Sequence, residues 1–356
     1  MFEIGGKYVK CEELSTGIIN STYHVKYIRE GLEKNYIVQR INKSVFKNPP
    51  ELMENIVRVT EYVRNNIKKM NLSTKRFVLR AFLTKDTKLP YYIDEHGEYW
   101  RVYRFISDSI TYDSVEDLSI IEKTGQAFGR FANCLDGFDA NCLNVTIPDF
   151  HNTPKRYEAF ENAVLEDKFG RAECLNEEIE FLYSVKENVS TIQNYLEQGK
   201  LPLRVTHNDT KTNNVAIDVN TGEALSVLDL DTVMPGAIAF DFGDAIRFIA
   251  NTCNEDDPNV ENVKINLKKY RAFAKGFVSE LKDSLTDLEK KTLNLGVLTM
   301  TVELAVRFLT DYINGDVYFK TKYPGHNLDR ARNQIALSKR ILENFSFMEE
   351  ILKEFI

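Results

Sequence analysis

Residues Thr206–Asn214 read THNDTKTNN, and LDLD follows at Leu228–Asp231. The first stretch has the form His-x-Asp-x-x-x-x-Asn, with the asparagine-to-aspartate spacing of a kinase catalytic loop. Phosphoryl transfer of this type needs three oxygen-bearing groups near one point, because one orients the attacking hydroxyl and two hold the magnesium that bridges the nucleotide phosphates. The pattern therefore predicts Asp209 as the catalytic base and Asn214 and Asp229 as metal ligands.

Each of these residues also has an ordinary structural explanation. Asp209 and Asn214 could shape a turn, since Asp and Asn bond readily to nearby backbone, and Asp229 could simply end a strand. Their joint spacing favours the functional interpretation over three coincidences. We assign His207 differently, as a structural support that braces the loop, and we predict no acid–base role for it.

The composition is that of an ordinary soluble globular protein with room for two lobes. The chain has 356 residues, of which 43% are hydrophobic and 28% charged. Its formal net charge of -7 argues against nucleic acid as the main partner, because binding to the phosphate backbone relies on clustered Lys and Arg. We expect no nucleic-acid partner.

The cysteines and the apolar segments bear on the cellular compartment. Five cysteines are present, an odd number without Cys-x-x-Cys spacing, which favours reduced thiols. No signal peptide is visible at the amino terminus, and no uncharged apolar run approaches membrane-spanning length. The sequence therefore predicts a cytoplasmic protein that does not bind membranes.

The order of predicted elements indicates an α+β fold with a β-rich first lobe and a mostly helical second lobe. We place the lobe boundary after residue 107, where polar residues follow an apolar strand, giving lobes 1–107 and 108–356. Alternation and β-branched residues predict strands at 22–28, 35–41, 77–79, 91–94 and 98–106, with a helix at 49–65. Helical periodicity covers 116–135, 155–168, 174–198, 260–283, 286–314 and 328–354, interrupted by a β-rich insert at 203–231.

The catalytic stretch resembles that of the aminoglycoside phosphotransferase and choline kinase superfamily, whose members share a protein-kinase-like two-lobed fold. Further blocks resemble the N-acetylhexosamine 1-kinase branch of this superfamily. They are Gly17–Tyr23, Val38–Asn42, Leu228–Gly236, Asp241–Phe248 and Val306–Phe319. The resemblance implies an enzyme with an alcohol group as acceptor, which transfers phosphate from ATP to the anomeric hydroxyl of GlcNAc or GalNAc with the help of Mg²⁺.

Several residues are candidates for nucleotide contacts in such a fold. A loop at 16–22 could lie over the phosphates, with Asn20 and Thr22 as hydrogen-bond donors. Kinase-like folds usually carry a phosphate-binding lysine on the third strand, but here we choose Arg40, since a guanidinium can grip phosphate oxygens bidentately. An exposed surface arginine is an equal alternative for Arg40. Adenine is expected between the lobes, near Arg104 and Ile106.

The acceptor is expected beside Asp209 in the helical lobe. The resemblance implies that Arg307 and Tyr318 contact the sugar, although Arg307 could instead pair with Asp311 four residues later on the helix surface. Asp244 and Arg247 stand three residues apart on a predicted helix opened by Asp241. Asp244 is our candidate for structural support of the metal loop.

Two other functions stay open at this point. A kinase of the same fold could act on another small hydroxyl compound, such as an amino alcohol, a homoserine-like acid or an aminoglycoside. A cationic acceptor needs acidic and aromatic residues, which Asp311, Asp316, Tyr312 and Tyr318 could supply. The other hypothesis is an inactive nucleotide-binding module, which the intact base and metal ligands disfavour. The oligomeric state is left open.

Overall fold

The computed structural model describes residues 1–14, 19–281 and 283–356. Its strands are β1 Lys7–Leu14, β2 Ser21–Arg29, β3 Leu32–Arg40, β4 Tyr92–Ile93, β5 Tyr99–Arg104, β6 Ser109–Ile110, β7 Arg204–Thr206, β8 Val215–Asp218, β9 Ala224–Val227 and β10 Met234–Gly236. Its helices are α1 Pro49–Lys69, α2 Leu118–Cys134, α3 Thr153–Glu166, α4 Asn176–Glu197, α5 Ile238–Ile249, α6 Leu267–Leu281, α7 Asp287–Ile313, α8 His326–Glu343 and α9 Phe345–Lys353.

The chain divides into two compact units. The first comprises 1–111, 134–148 and 214–235, and the second comprises 112–133, 149–213 and 236–356. The first unit is rich in strands and the second in helices, as the α+β class requires. The sequence-based lobe boundary after residue 107 stays a prediction.

The first unit is built on an antiparallel sheet of order β1-β2-β3-β5-β4. Its register aligns Thr22 of β2, Gln39 of β3 and Arg101 of β5 in one row across three strands. Helix α1 begins at Pro49 and Pro50, at the predicted start of the helix. Proline lacks a backbone N–H, and this costs nothing in the first turn of a helix, where the N–H groups have no partner within the helix. A second sheet has the order β6-β8-β9.

The second unit is organised around α7, whose backbone comes very close to that of α5. A Cβ atom on Gly243 would lie 2.2 Å from the carbonyl oxygen of Gly296, and one on Gly296 would lie 2.0 Å from that of Ala239. Only glycine permits this approach, so the two helices cross in backbone contact. Helix α7 is long and apolar enough to cross a membrane, but 83% of its apolar 18-residue segment is buried inside the protein, as in a core helix.

Most predicted elements are present, and the exceptions have physical reasons. The strand predicted at 77–79 is wrong, because the chain pairs with β5 three residues later, where the N–H of Phe82 donates to the carbonyl of Val102. The helix predicted at 328–354 is two helices, which meet at Asn344. Strand β1 was missed because nearly all of its residues are exposed and lack an apolar alternation.

Candidate active site

The catalytic loop is fixed to α5 through Asp241. The Asp241 carboxylate accepts the backbone N–H groups of His207 and Asn208, each at 2.8 Å. The hydroxyl of Thr210 donates to the Asp241 carbonyl at 2.6 Å. Burial raises the pKa of Asp241 above its ordinary value, against the opposing effect of His207. These bonds hold the backbone on both sides of Asp209. The helix that supplies them begins at Ile238, three residues before the predicted start.

A second carboxylate on α5 holds the same loop. Asp244 accepts the N–H of Thr210 at 3.0 Å and pairs with Arg247 at 2.7 Å. Burial opposes ionisation of Asp244, but Arg247 and then Lys211 hold its pKa below the ordinary range. These contacts support the catalytic loop directly, and the support of the metal loop by Asp244 stays a prediction.

His207 is fully buried beneath the loop. Its Nδ1 accepts the N–H of Asp209 at 3.2 Å, and its ring meets those of Phe128 and Phe131 edge-on. The bracing role stays a prediction, and these contacts describe how it would act: a packed ring fixes the backbone of the base.

The Asp209 carboxylate is partly exposed and lies 2.6 Å from the ammonium of Lys211. Burial works against the charge on Lys211, but Asp209 and then Asp244 raise its pKa above the ordinary value. Asn208, just before the base, has a left-handed backbone with φ of 64°, which a non-glycine residue adopts at a cost. Sequence reasoning missed Lys211, although its position two residues after the predicted base was a usable signal.

Both predicted metal ligands lie in the first unit and are linked through the backbone. The N–H of Leu228 donates to the carbonyl of Asn214 at 2.8 Å, and Asp229 follows with a left-handed backbone, φ 51° and ψ 63°. Within the described ranges, no cluster of three or more His, Cys, Asp or Glu residues could hold a metal. One carboxylate and one amide oxygen nevertheless suit Mg²⁺, which takes few protein ligands and completes its shell with phosphate oxygens and water.

Replacing Asp229 by alanine is expected to weaken magnesium dependence and nucleotide affinity together. The variant loses the only carboxylate of the predicted pair, so the Mg²⁺ concentration at half-maximal rate and the KM for ATP should both rise about tenfold or more. Initial rates over a magnesium titration measure this. Asp108→Asn, on an exposed turn, is the control, and unchanged magnesium dependence in Asp229→Ala would remove the residue from the site.

Two residues after Asp229, Asp231 forms a buried ion pair that the sequence did not reveal. Both terminal nitrogens of Arg101 donate to its carboxylate, one of them at 2.9 Å, and both side chains are almost fully buried. Burial works against the positive charge on Arg101, but the Asp231 carboxylate holds the pKa of Arg101 above its ordinary value. Arg101 also donates from Nε to Gln39 of β3, the strand where a lysine is usual. The only hint was an arginine within an apolar strand.

The predicted phosphate-loop residues join this network. The amide nitrogen of Asn20 donates to Asp231 at 2.7 Å, while its oxygen accepts the N–H of Asn42 at 3.0 Å. The hydroxyl of Thr22 accepts from Gln39 at 3.0 Å. Asn20 and Thr22 thus have structural partners, and their nucleotide contacts stay predictions. Residues 16–18 of the predicted loop lie outside the described residues.

The other nucleotide candidates occupy varied surroundings. Arg40 is exposed, and its guanidinium donates to the hydroxyl of Ser21 at 3.2 Å. Burial, and then nearby arginines, lower the pKa of Arg104. Ile106 is buried in an apolar cluster. The nucleotide contacts of these three residues stay predictions.

We define the acceptor patch as Phe150, Arg156, Arg307, Tyr318 and Phe319. The guanidinium of Arg307 lies over the rings of Phe150 and Phe319, at 5.9 and 5.5 Å from their centroids. Burial, followed by the like charge of Arg307, lowers the pKa of Arg156. The ring of Tyr318 is 72% exposed, so it projects outward. The patch therefore brings both predicted sugar residues onto one surface of the second unit.

A short chain of contacts connects the acceptor patch to the catalytic loop. His151 follows Phe150, and its ring nitrogens lie 2.9 Å from Glu303 and 3.4 Å from the carbonyl of Asn208, the residue before the base. Glu303 precedes Arg307 by one helical turn on α7. Burial opposes ionisation of Glu303, but His151 holds its pKa below the ordinary value. The patch is thus tied to the backbone that carries Asp209.

The acidic residues that could have received a cationic acceptor are already used. Asp311 accepts the N–H groups of residues 317–319 and the amide of Asn327. Asp316 pairs with Arg171 at 2.7 Å, and the Arg171 guanidinium lies 4.7 Å from the ring centroid of Tyr312. Asp311 therefore closes the turn after α7 and does not pair with Arg307.

Comparison with known proteins identifies the family of this chain. The family model described as "Phosphotransferase enzyme family" (APH) matches residues 10–274, which is more than half of the chain. The chain belongs to this phosphotransferase family. The phosphotransferase is therefore a small-molecule kinase that acts on a hydroxyl group, as the sequence predicted at this level.

Solved structures similar to the phosphotransferase support the fold. A spectinomycin phosphotransferase in complex with ADP and spectinomycin has a TM-score of 0.57 at 11% identity, with 95% of each chain covered. A choline kinase from Cryptosporidium parvum has 0.56 at 14% identity, covering 98% of this chain and 93% of that chain. An ethanolamine kinase from Plasmodium vivax has 0.53 at 12%, covering 91% and 82%. The predicted α+β, protein-kinase-like fold class is confirmed.

Proposed function

We propose that this phosphotransferase transfers the γ-phosphate of ATP to the anomeric hydroxyl of an N-acetylhexosamine, GlcNAc or GalNAc, giving the sugar 1-phosphate. The observation that carries the proposal is the acceptor patch beside the catalytic loop. Its Arg156 has a buried Nε–H without an acceptor, and the guanidinium of Arg307 has no hydrogen-bond partner among the described residues. Unused donors of this kind favour an acceptor rich in hydroxyl and carbonyl oxygens.

The residues have distinct roles in this reaction. Asp209 accepts the hydrogen bond of the sugar hydroxyl and points its oxygen at the phosphorus, a positioning role that a loose transition state requires more than strong basicity. Lys211, beside Asp209, offers a positive charge to the phosphate oxygens. Mg²⁺, held by Asn214 and Asp229, would neutralise charge on the nucleotide phosphates when bound.

Contacts in the second unit favour a neutral acceptor over a cationic one. The two guanidinium groups of Arg156 and Arg307 would repel a choline-like or aminoglycoside cation at the acceptor patch. The carboxylates of Asp311 and Asp316 already serve backbone and side-chain donors, and Arg171 occupies the ring face of Tyr312. An inactive module is disfavoured because so many bonds hold the loop of Asp209 in place.

A panel of acceptors tests the proposal. With ATP and Mg²⁺, GlcNAc or GalNAc should be turned over and choline, ethanolamine and homoserine should not. Arg307→Met should lower kcat/KM for the sugar about tenfold or more, since hydrogen bonds to charged groups contribute roughly 1.5–3 kcal/mol. Arg340→Met, on the exposed side of α8, is the matched control. Turnover of choline or homoserine with no turnover of either sugar would refute the sugar proposal and leave the kinase assignment intact.

We also propose a cytoplasmic location. None of the five cysteines, all of which lie in the described part of the chain, forms a disulfide bond, and Cys134 and Cys253 are at least partly shielded from solvent. Reduced thiols are the rule in the cytosol. Labelling with a thiol reagent after purification without reductant would show five reactive cysteines under denaturing conditions; a loss of two or more would argue for an oxidising compartment.

A further inference from the structure

A largely buried histidine, His151, lies beside the catalytic loop. It precedes α3 by two residues, and its side chain is only 8% exposed. Its ring packs against those of Phe150 and Phe240, with ring centroids 4.5 and 5.6 Å apart. Phe240 belongs to α5, the helix that supports the catalytic loop. This packing fixes the ring, so the neighbours of its two nitrogens are fixed as well.

The two ring nitrogens of His151 both face oxygen atoms. Nδ1 lies 2.9 Å from the Oε1 of Glu303 on α7, and Nε2 lies 3.4 Å from the carbonyl oxygen of Asn208. A carbonyl oxygen can only accept a hydrogen bond, so Nε2 must carry a proton to bond with Asn208. The ionised Glu303 carboxylate also only accepts, so Nδ1 must carry one as well. Both bonds therefore form together only when the ring is an imidazolium.

Charged groups on α5, α7 and α3 surround His151 and its partner Glu303. They include Asp241 and Asp244 of α5, Arg307 of α7 and Arg156 of α3. The two α5 carboxylates attract a positive ring, and the two guanidinium groups attract the carboxylate of Glu303. Burial raises the pKa of Glu303, but the charge of His151 holds it below the ordinary value. The catalytic loop presents a neutral carbonyl to the ring, so these surroundings favour imidazolium paired with carboxylate.

Two histidines hold the peptide group between Asn208 and Asp209. Its N–H donates to Nδ1 of His207 at 3.2 Å, and its carbonyl accepts from Nε2 of His151 at 3.4 Å. Because a peptide group is planar, these two contacts fix its orientation and so the direction in which Asp209 leaves the loop. Asn208 has a left-handed backbone with φ of 64°, a conformation that persists only where its surroundings hold it. His151 thus acts on the base through the backbone.

Loss of one proton from the His151 ring would release the loop and not Glu303. A ring with a single proton can donate to the carboxylate or to the carbonyl, and the bond to an ionised acceptor is about twice as strong. The remaining proton therefore stays on Nδ1, and the lone pair of Nε2 faces the carbonyl oxygen of Asn208. These two groups repel each other, so the peptide group before Asp209 loses one of its supports.

We propose that His151 is a positioning residue for the catalytic aspartate and that it serves this role as an imidazolium. Its Nδ1–H is anchored by Glu303, and its Nε2–H holds the carbonyl before Asp209. This role rests on the proposed function, in which Asp209 orients the attacking hydroxyl, and it is the same for any acceptor. The reaction should therefore slow as pH rises and the ring loses its second proton.

Two variants of His151 separate the donor to the loop from the rest of the side chain. In His151→Gln the amide nitrogen takes the place of Nε2 and can still donate to Asn208, whereas in His151→Asn it takes the place of Nδ1 and reaches Glu303 instead. Both variants are neutral and lose the ring. With GlcNAc, ATP and Mg²⁺, His151→Asn should lower kcat about tenfold or more and His151→Gln about threefold or less, with the KM for ATP unchanged in both.

The pH dependence of the rate gives a second readout. The kcat of the parent chain should fall at alkaline pH, and His151→Gln should lack this fall, since an amide does not titrate. A fall caused by Lys211 would instead persist, because that variant keeps Lys211. His96→Gln, at an exposed position of the first unit, is the control and should behave like the parent chain. An alkaline fall that persists in His151→Gln, or an equal loss of kcat in the two His151 variants, would overturn the proposal.

NMR of the chain labelled with ¹⁵N-histidine reads the ring protons without turnover, so it separates this proposal from the choice of acceptor. At slightly alkaline pH an exposed histidine is neutral, since its ordinary pKa is about 6.5. One histidine signal should then show both ring nitrogens protonated, and it should be missing from the His151→Gln spectrum. A neutral His151 ring would overturn the proposal even if GlcNAc is phosphorylated, and an imidazolium would support it even if GlcNAc is not.

Discussion

The Asp209→Asn variant is expected to lose about 10²- to 10⁴-fold in kcat, the range over which positioned acid–base groups act. Asparagine keeps an oxygen that can accept from Lys211, and the bonds from Asp241 and Asp244 hold the loop through backbone groups that the substitution does not touch. Fold and ATP affinity should therefore persist. Steady-state rates with saturating ATP, beside thermal melting, separate the two effects.

A matched substitution controls for loss of a negative charge. Asp86→Asn, at an exposed position of the first unit, should leave kcat within twofold of the parent chain, since exposed changes rarely exceed roughly 0.5 kcal/mol. Nucleotide affinity of Asp209→Asn is followed by displacement of a fluorescent ADP analogue. Near-normal kcat would exclude Asp209 as the group that orients the hydroxyl, and a collapse of thermal stability would instead assign it a structural role.

The largest loss of stability is expected from Arg101→Met. This variant strands the buried Asp231 carboxylate without its cation, and breaking one side of a buried ion pair costs about 3–5 kcal/mol. The free energy of unfolding from urea titration should fall by that amount. The amide of Asn20 still donates to Asp231 in this variant. Because this bond stabilises the carboxylate, we expect the loss of unfolding free energy to lie in the lower part of that range.

Replacing both members of the pair separates its contribution to the stability of the fold from its contribution to positioning the segment after Asp229. Arg101→Met with Asp231→Leu should recover most of the unfolding free energy, since apolar residues of similar volume often replace a buried pair without loss. We expect Arg101→Met to raise the KM for ATP, and the double variant should not restore it, because it lacks the bonds that join Asn20 and Gln39 to the segment after Asp229. Recovery of both stability and KM would show that the pair does not position that segment. Arg332→Met, at an exposed position of α8, is the single-site control.

The sequence predicted those features that are encoded by neighbouring residues. The catalytic motif is such a feature, as its members lie within a few positions and their spacing is itself the signal. The Arg101–Asp231 pair is not, because its residues are 130 positions apart and either alone resembles a surface charge. The left-handed backbone at Asp229 was equally hidden, since aspartate adopts many conformations.

Errors in secondary structure have a related origin. Val78 and Leu79 are buried, so their apolar character was real, but burial does not require pairing in a sheet. Only contact with β5 decides which neighbouring residues form the ladder. The bonds from Asp241 and Asp244 to the loop were likewise beyond reach, because they depend on how α5 packs, which periodicity does not report.

The backbone contact of Gly243 with Gly296 has a consequence for how such an enzyme can change over evolution. Helix α5 carries Asp241 and Asp244, whose carboxylates hold the catalytic loop. Helix α7 carries Glu303 and Arg307 on turns beyond the crossing. Because the two helices meet in backbone contact at Gly243 and Gly296, the turn of α7 that carries Arg307 can accept new residues, and hence new acceptors, while the catalytic loop keeps the geometry that its bonds to α5 and to His151 give it. A methyl group added at the crossing would instead shift both at once. We therefore expect substitutions to be tolerated around Arg307 on α7 and to be rare at the glycine pair, in α5 and in the catalytic loop.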